Sequence, residues 1–220
     1  LISIPGFPSW MPTYAVTDPN NGNAGVSSGL LNTDQFDNYA AFCASLVKIL
    51  NVDQHRGIKY FELPNEQDGA YYVNFYNYNN SHTPAVADHL DELITIYNKA
   101  AQAMKAVDPS IQVGGPAFAR GDLYDQVNRF VKGTISQKNP TTLDFLSMHG
   151  YASGDLNDSD YAIYNRIWNA DSPTTNSLAK HTTDVRTILD QLSPKHHIPL
   201  WFDEYNISWG WWNNDPRMQN

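Results

Sequence analysis

Short apolar runs and long amphipathic runs alternate along this chain, and no other feature of the sequence restricts its fold as much. Leu1–Ile4 reads as a strand, and Pro5, Pro8 and Pro12 then mark a turn-rich loop. Residues 18–33, rich in Asn, Gly and Ser, read as loop. Asn32 and Gln35 have capping-box spacing. From Phe36 the apolar residues Tyr39, Cys43, Leu46, Val47 and Leu50 recur at helical spacing, which predicts a helix over 34–50. A strand over 58–63 follows. Leu90, Leu93, Ile94, Tyr97, Ala101 and Met104 predict a second helix over 88–107, stopped before Pro109. Residues 111–116 read as strand and turn, and Leu123 to Val131 as a shorter helix. A strand over 143–148 ends at His149-Gly150-Tyr151. Residues 152–177 read as polar loop with isolated aromatics. Leu178 to Leu192 forms the last helix, and a strand over 198–203 delivers Glu204.

Five strands and four helices in strict alternation imply an α/β fold with parallel crossovers. Strands that end in polar residues favour a (β/α) TIM-type barrel, whose working face lies at the carboxyl ends of the strands. A closed barrel needs eight strands and typically ~250 residues. The expectation is therefore a single domain over 1–220 forming a partial barrel. The start without Met reads as something other than a natural gene start.

Composition narrows the function classes. The formal net charge of −9 disfavours nucleic acid and anionic membrane surfaces as partners. No apolar run is long enough to span a bilayer. The one cysteine, Cys43, excludes an intrachain disulfide framework and falls on the apolar face of the first helix. The seven histidines show no spacing of the His-x-x-x-His kind, so neither metal nor cofactor is expected. Residues 69–87 mix Tyr71, Tyr72, Phe75, Tyr76 and Tyr78 with several asparagines. This suits either a surface that stacks on sugar rings or a self-packed loop.

Two strands run into glutamates. Phe61-Glu62-Leu63-Pro64 precedes Asn65-Glu66, and Pro64 cannot donate to a strand ladder. Ile198-Pro199-Leu200-Trp201-Phe202-Asp203 precedes Glu204. Two carboxyl groups flanking one bond are what glycosidic hydrolysis uses: one protonates the leaving oxygen, and in retaining enzymes the other attacks the anomeric carbon. His149 and Tyr151 end a strand between the two glutamate strands, so they are expected to face the same pocket, with Tyr151 bonded to the nucleophile. Strand alternation points Glu62 and Asp203 the other way, toward structural salt bridges. Trp10, Asn206 and Trp209 complete the candidate sugar-binding set. A mildly acidic, bell-shaped rate profile is expected of such a pair.

The chain resembles the retaining clan A glycoside hydrolases. More narrowly it resembles glycoside hydrolase family 39, whose best-known members are β-xylosidases. The resemblance rests on Phe61 to Glu66, Tyr97 to Pro116, Phe145 to Tyr151 and Phe202 to Asn206, in that order. It implies Glu66 as acid/base, Glu204 as nucleophile and Asn65 as a sugar-binding residue. It also implies His149 and Tyr151 in the pocket, and a match to the third to seventh barrel strands. The family's Trp before Asn-Glu is Pro64 here, and its following Pro is Gln67. Asp203-Glu204-Tyr205-Asn206, taken with Gln67-Asp68-Gly69, also resembles family 51 arabinofuranosidases.

The implied substrate is a plant cell-wall polysaccharide or oligosaccharide, most closely a β-xyloside. The alternatives are an arabinofuranoside, or a non-catalytic remnant that only binds carbohydrate. Unpaired edge strands at Leu1–Ile4 and Ile198–Asp203 point to self-association. Secretion is expected from polymer-degrading chemistry. Asn79, Asn157 and Asn206 each begin a glycosylation acceptor pattern.

Overall fold

A computed structural model describes residues 1–17, 25–68, 89–119, 122–135, 142–153, 157–169 and 177–208. Its centre is a parallel five-stranded sheet. The strands are β1 (Ile2–Ser3), β4 (Tyr60–Glu62), β5 (Gln112–Phe118), β6 (Phe145–Ser153) and β7 (Leu200–Ser208), neighbours in that order. Between β1 and β4 lie β2 (Thr13–Thr17) and β3 (Gly25–Leu31), paired antiparallel, and helix α1 (Phe36–Val47). Helices α2 (Leu90–Val107) and α3 (Tyr124–Thr134) connect β4 to β5 and β5 to β6. Two helices, α4 (Asp160–Trp168) and α5 (Leu178–Leu192), separate β6 from β7. The result is a partial (β/α) barrel. Among the described residues, no helix is long and apolar enough to cross a membrane.

The helices form because their apolar residues share one face. In α2 the buried set is Leu90, Leu93, Ile96, Tyr97, Ala100, Ala101 and Met104, a stripe that packs between α1 and α3. In α1 the buried Phe36, Tyr39, Ala40, Cys43 and Val47 make the matching stripe. Tyr97 is fully buried, and its hydroxyl lies 3.0 Å from the carbonyl oxygens of both Val113 and Thr142. One phenolic proton serves both acceptors, tying α2 to β5 and to the entry of β6.

Alternation along the strands sends Val113, Leu146 and Met148 into the core shared with the helices. Residues of opposite parity fill the inner face in layers, as barrel interiors do. Tyr60, Phe145 and Trp201 form the lower layer, with Phe145 and Trp201 stacked at 4.1 Å between centroids. Glu62, Ser147 and Asp203 come two residues further along the same strands.

Four local expectations change. Part of 18–33 is strand: Gly25–Leu31 pairs with Thr13–Thr17, and backbone pairing overrides the Gly/Ser-rich composition. Asn32 makes no side-chain cap bond, and a 3₁₀ turn at Thr33–Gln35 leads into α1 instead. Residues 160–168 are helix rather than loop, started by Ser159 Oγ accepting from Ala162 N. The final strand runs on to Ser208, so Glu204 lies within it. The aromatic-rich stretch 69–87 falls outside the described residues.

β4 and β5 approach so closely that no side chain fits between them at Gly115. A Cβ there would lie 2.2 Å from the Leu63 carbonyl oxygen, and Gly115 has φ +141°. Gly115→Ala is expected to destabilise the fold by about 3 kcal/mol or more. Denaturant titration against the parent checks this.

Candidate active site

The segment after β4 carries Glu66 and is held by backbone bonds on both sides. Asn65 N donates to Pro5 O at 3.2 Å, and Glu66 N donates to Ala117 O at 3.1 Å. Buried Asp68 accepts from Ala119 N at 3.2 Å and anchors the far end of the segment. Glu66 itself has φ +51°, a conformation that a residue with a Cβ adopts only where its surroundings hold it.

His149 on β6 is the hub. Its side chain is 1% exposed, whereas those of Glu66 and Glu204 are 45% and 44% exposed. Nδ1 lies 2.6 Å from Glu66 Oε1 and 3.6 Å from Glu204 Oε2. Tyr151 Oη donates to Glu204 Oε2 at 2.8 Å. The nearest nitrogen and oxygen atoms of Glu66, His149 and Glu204 all lie within 4.8 Å of one another. A cation placed among them would have to break the Nδ1–Oε1 hydrogen bond. The residue types and spacing suit proton transfer and nucleophilic attack without one.

The other face of the imidazole meets Asp203, with Nε2 3.6 Å from Oδ2. That is longer than a hydrogen bond, so the contact is an ion pair. Sequence alternation placed Asp203 away from this pocket, and the structure corrects it. Met148 pairs with Phe202, but the next residue, His149, pairs with Glu204. Asp203 is the extra residue of a β-bulge, and the bulge lets two consecutive acidic side chains of β7 approach one histidine. Glu62 is corrected likewise. Instead of a salt bridge to a base it has the Asp203 carboxylate beside it, together with Ser147 and Ser3.

Burial opposes a charge on His149. The Asp203 carboxylate, Glu66 and Glu204 outweigh it and raise the imidazole pKa to about 10. Burial, reinforced by the Asp203 charge, raises Glu62 to about 7. Burial also tends to raise Asp203, but His149 and Glu62 prevail and hold it below the usual carboxylate range. Tyr151 is raised to about 12 by burial and by Glu204.

The remaining candidates are spread more widely. Asn65 is half-buried beside Glu66. Asn206 pairs in register with Tyr151, and its Oδ1 accepts from Ile207 N. Trp10 is 67% exposed and packs edge-on against Phe42 of α1. Trp209 lies outside the described residues. The sequence reading missed Asp203, Glu62 and Ser147 as a connected group. The one available signal was the acidic pair Asp203-Glu204, and only a bulge makes it meaningful.

Two carboxyl groups brought together on one face of a parallel partial barrel, one after β4 and one within β7, are an arrangement of the glycoside hydrolase kind. The family model for glycosyl hydrolases family 39 matches residues 66–219, and the chain belongs to that family. A β-xylosidase of Geobacillus stearothermophilus is 31% identical over 118 residues, which is 54% of this chain and 22% of that protein. The chain thus matches about a fifth of that relative's length. A family 44 xyloglucanase of Paenibacillus polymyxa shares the fold, with TM-score 0.52 and 15% identity over 77% of this chain and 40% of that one. A bacterial orthologue of human α-L-iduronidase does so with TM-score 0.51 and 19% identity, over 81% and 27%.

Glu62 binds its proton more tightly in the folded chain than in the unfolded one. Its burial therefore subtracts stability as pH rises from about 4.5 to about 7. Glu62→Gln keeps a donor for Asp203 and removes the ionisation. Between those pH values the parent is expected to lose on the order of 2 kcal/mol relative to Glu62→Gln, measured by urea unfolding at each pH.

Proposed function

We propose that this chain carries the reacting residues of a retaining glycosidase that cleaves β-xylosidic bonds in plant cell-wall polysaccharides or their oligomers. The observation that carries the reading is the approach of Glu66 and Glu204. Their oxygens come within 4.8 Å of each other, Glu66 on the segment after β4 and Glu204 within β7. Retaining carboxyl pairs stand ~5–5.5 Å apart, and inverting pairs stand wider to admit a water. The choice of a xyloside follows from family membership and from the β-xylosidase relative.

In this reading Glu66 gives its proton to the glycosidic oxygen while Glu204 attacks the anomeric carbon. The C–O bond breaks, the alcohol leaves, and a glycosyl ester of Glu204 remains. Glu66, now a carboxylate, takes a proton from water as the water's oxygen attacks the same carbon. The ester bond breaks, and both carboxyl groups return to their starting states. Tyr151 bonds Glu204 Oε2, which steadies that oxygen and leaves the other for attack. His149 Nδ1 lies 2.6 Å from Glu66 Oε1, where an N–H steadies the carboxylate that Glu66 becomes once it has given up its proton.

Glu204→Gly tests the roles. The parent protein is expected to hydrolyse an aryl β-xyloside, and the variant to lose at least about a thousandfold in rate. Azide is expected to restore turnover of the variant and to yield a glycosyl azide of inverted configuration. A parent that binds xylo-oligosaccharide but turns over no member of an aryl glycoside panel would make the site a binding remnant. A panel in which arabinofuranosides lead would reassign the sugar and keep the mechanism.

A further inference from the structure

Family membership does not assign Asp203, Glu62 or the bulge that exposes them to His149. His149 meets Glu66 on Nδ1 at 2.6 Å, Glu204 on the same nitrogen at 3.6 Å, and Asp203 on Nε2 at 3.6 Å. On its own strand it packs edge-on against Tyr151, with 6.4 Å between centroids. No lysine or arginine stands among these groups in the described residues. Glu62 lies behind Asp203, and its side chain is buried with Ser147 and Ser3 at hand.

We propose that Asp203 is a positioning residue: left unpaired at the β7 bulge, its carboxylate faces Nε2 of His149 so that Nδ1 carries a proton toward Glu66 and Glu204. This rests on the reading of those two glutamates as the reacting pair. An imidazole has two nitrogens, and a fixed partner on one decides what the other presents. The Asp203 charge, 3.6 Å from Nε2, favours a proton on that nitrogen and keeps the second proton on Nδ1. Two like charges packed together cannot both persist in a dry layer, so Glu62 holds a proton while Asp203 stays ionised. Asp203 touches neither sugar nor attacking water. It sets the proton inventory of the groups that do.

The consequence is a specific pH behaviour. The alkaline limb of the rate profile reports loss of the proton held between His149 and Glu66, so it depends on the charge at position 203. Asp203→Asn keeps the shape and removes that charge. Its alkaline limb in kcat/KM with an aryl β-xyloside is expected to fall by at least one pH unit, a tenfold loss of rate on that limb. Asp203→Glu keeps the charge and is expected to keep the limb high, even at a reduced rate. Glu62→Gln resembles the protonated Glu62 and is expected to leave the limb in place.

The His149 imidazole titration, followed by NMR in the same proteins, gives a readout independent of turnover. It is expected well above 7 in the parent and at least one unit lower in Asp203→Asn. A parent His149 that titrates near 6.5 overturns the proposal, whether or not the variants fold. An imidazole titration that does not move in Asp203→Asn, or that moves while the kinetic limb stays, overturns it as well. If the parent hydrolyses no glycoside, the glycosidase reading falls. The NMR series then still decides whether Asp203 governs the imidazole.

Discussion

A buried imidazole surrounded by carboxylates is the constraint around which this site is arranged. A cation in a dry position is expensive unless it is paired on every side. His149 is paired with Asp203, Glu66 and Glu204, and those partners outweigh the cost of its burial. The arrangement works in both directions. Glu66 and Glu204, each about half exposed, have a fixed positive neighbour that draws them to one point. Without the imidazole between them, two carboxylates so close together would repel each other.

The barrel supplies the geometry. Parallel strands place residues of like parity in layers, and the layers of the inner face change character along the strand axis. Stacked aromatics lie at the bottom, Glu62 and Asp203 lie above them, and Glu66 and Glu204 lie at the rim. Glu62 and Ser147 of the middle layer are fully buried, whereas Glu66 and Glu204 at the rim are about half exposed. The electrostatic contacts thus strengthen with depth, where the effective dielectric falls. The helices take no part in the chemistry. They press the sheet from behind through the α1, α2 and α3 stripes and fix its strands in register.

Much of this was legible in the sequence, for identifiable reasons. Leu90 to Met104 announces a helix because a sustained 3.6-residue period has no other explanation. The strands showed as short apolar runs ending in polar residues. Glu66 and Glu204 stood out because each follows such a run. What failed were local features overridden by tertiary context. The β2–β3 hairpin draws its stability from pairing, not from its Gly- and Ser-rich composition. Helix α4 is short, and its cap at Ser159 is easily read as one more loop serine. Asp203 was misassigned because a period of two was assumed through a strand that breaks it. Among the described residues, the faces taken by β7 side chains from Glu204 onward depend on that one irregularity.

The bulge also bears on how such a chain tolerates rearrangement. Everything beyond residue 203 on β7 is displaced by one position relative to its neighbour β6. Deleting Asp203 would restore an even ladder, with Glu204 still opposite His149 but without the carboxylate that faces Nε2. The rim would keep both carboxyl groups, and the layer below would lose the acidic partner of Glu62. Grafting an uninterrupted strand onto this scaffold would do the same, however well the grafted side chains matched. Transplantation therefore has to carry the irregularity along with the residues.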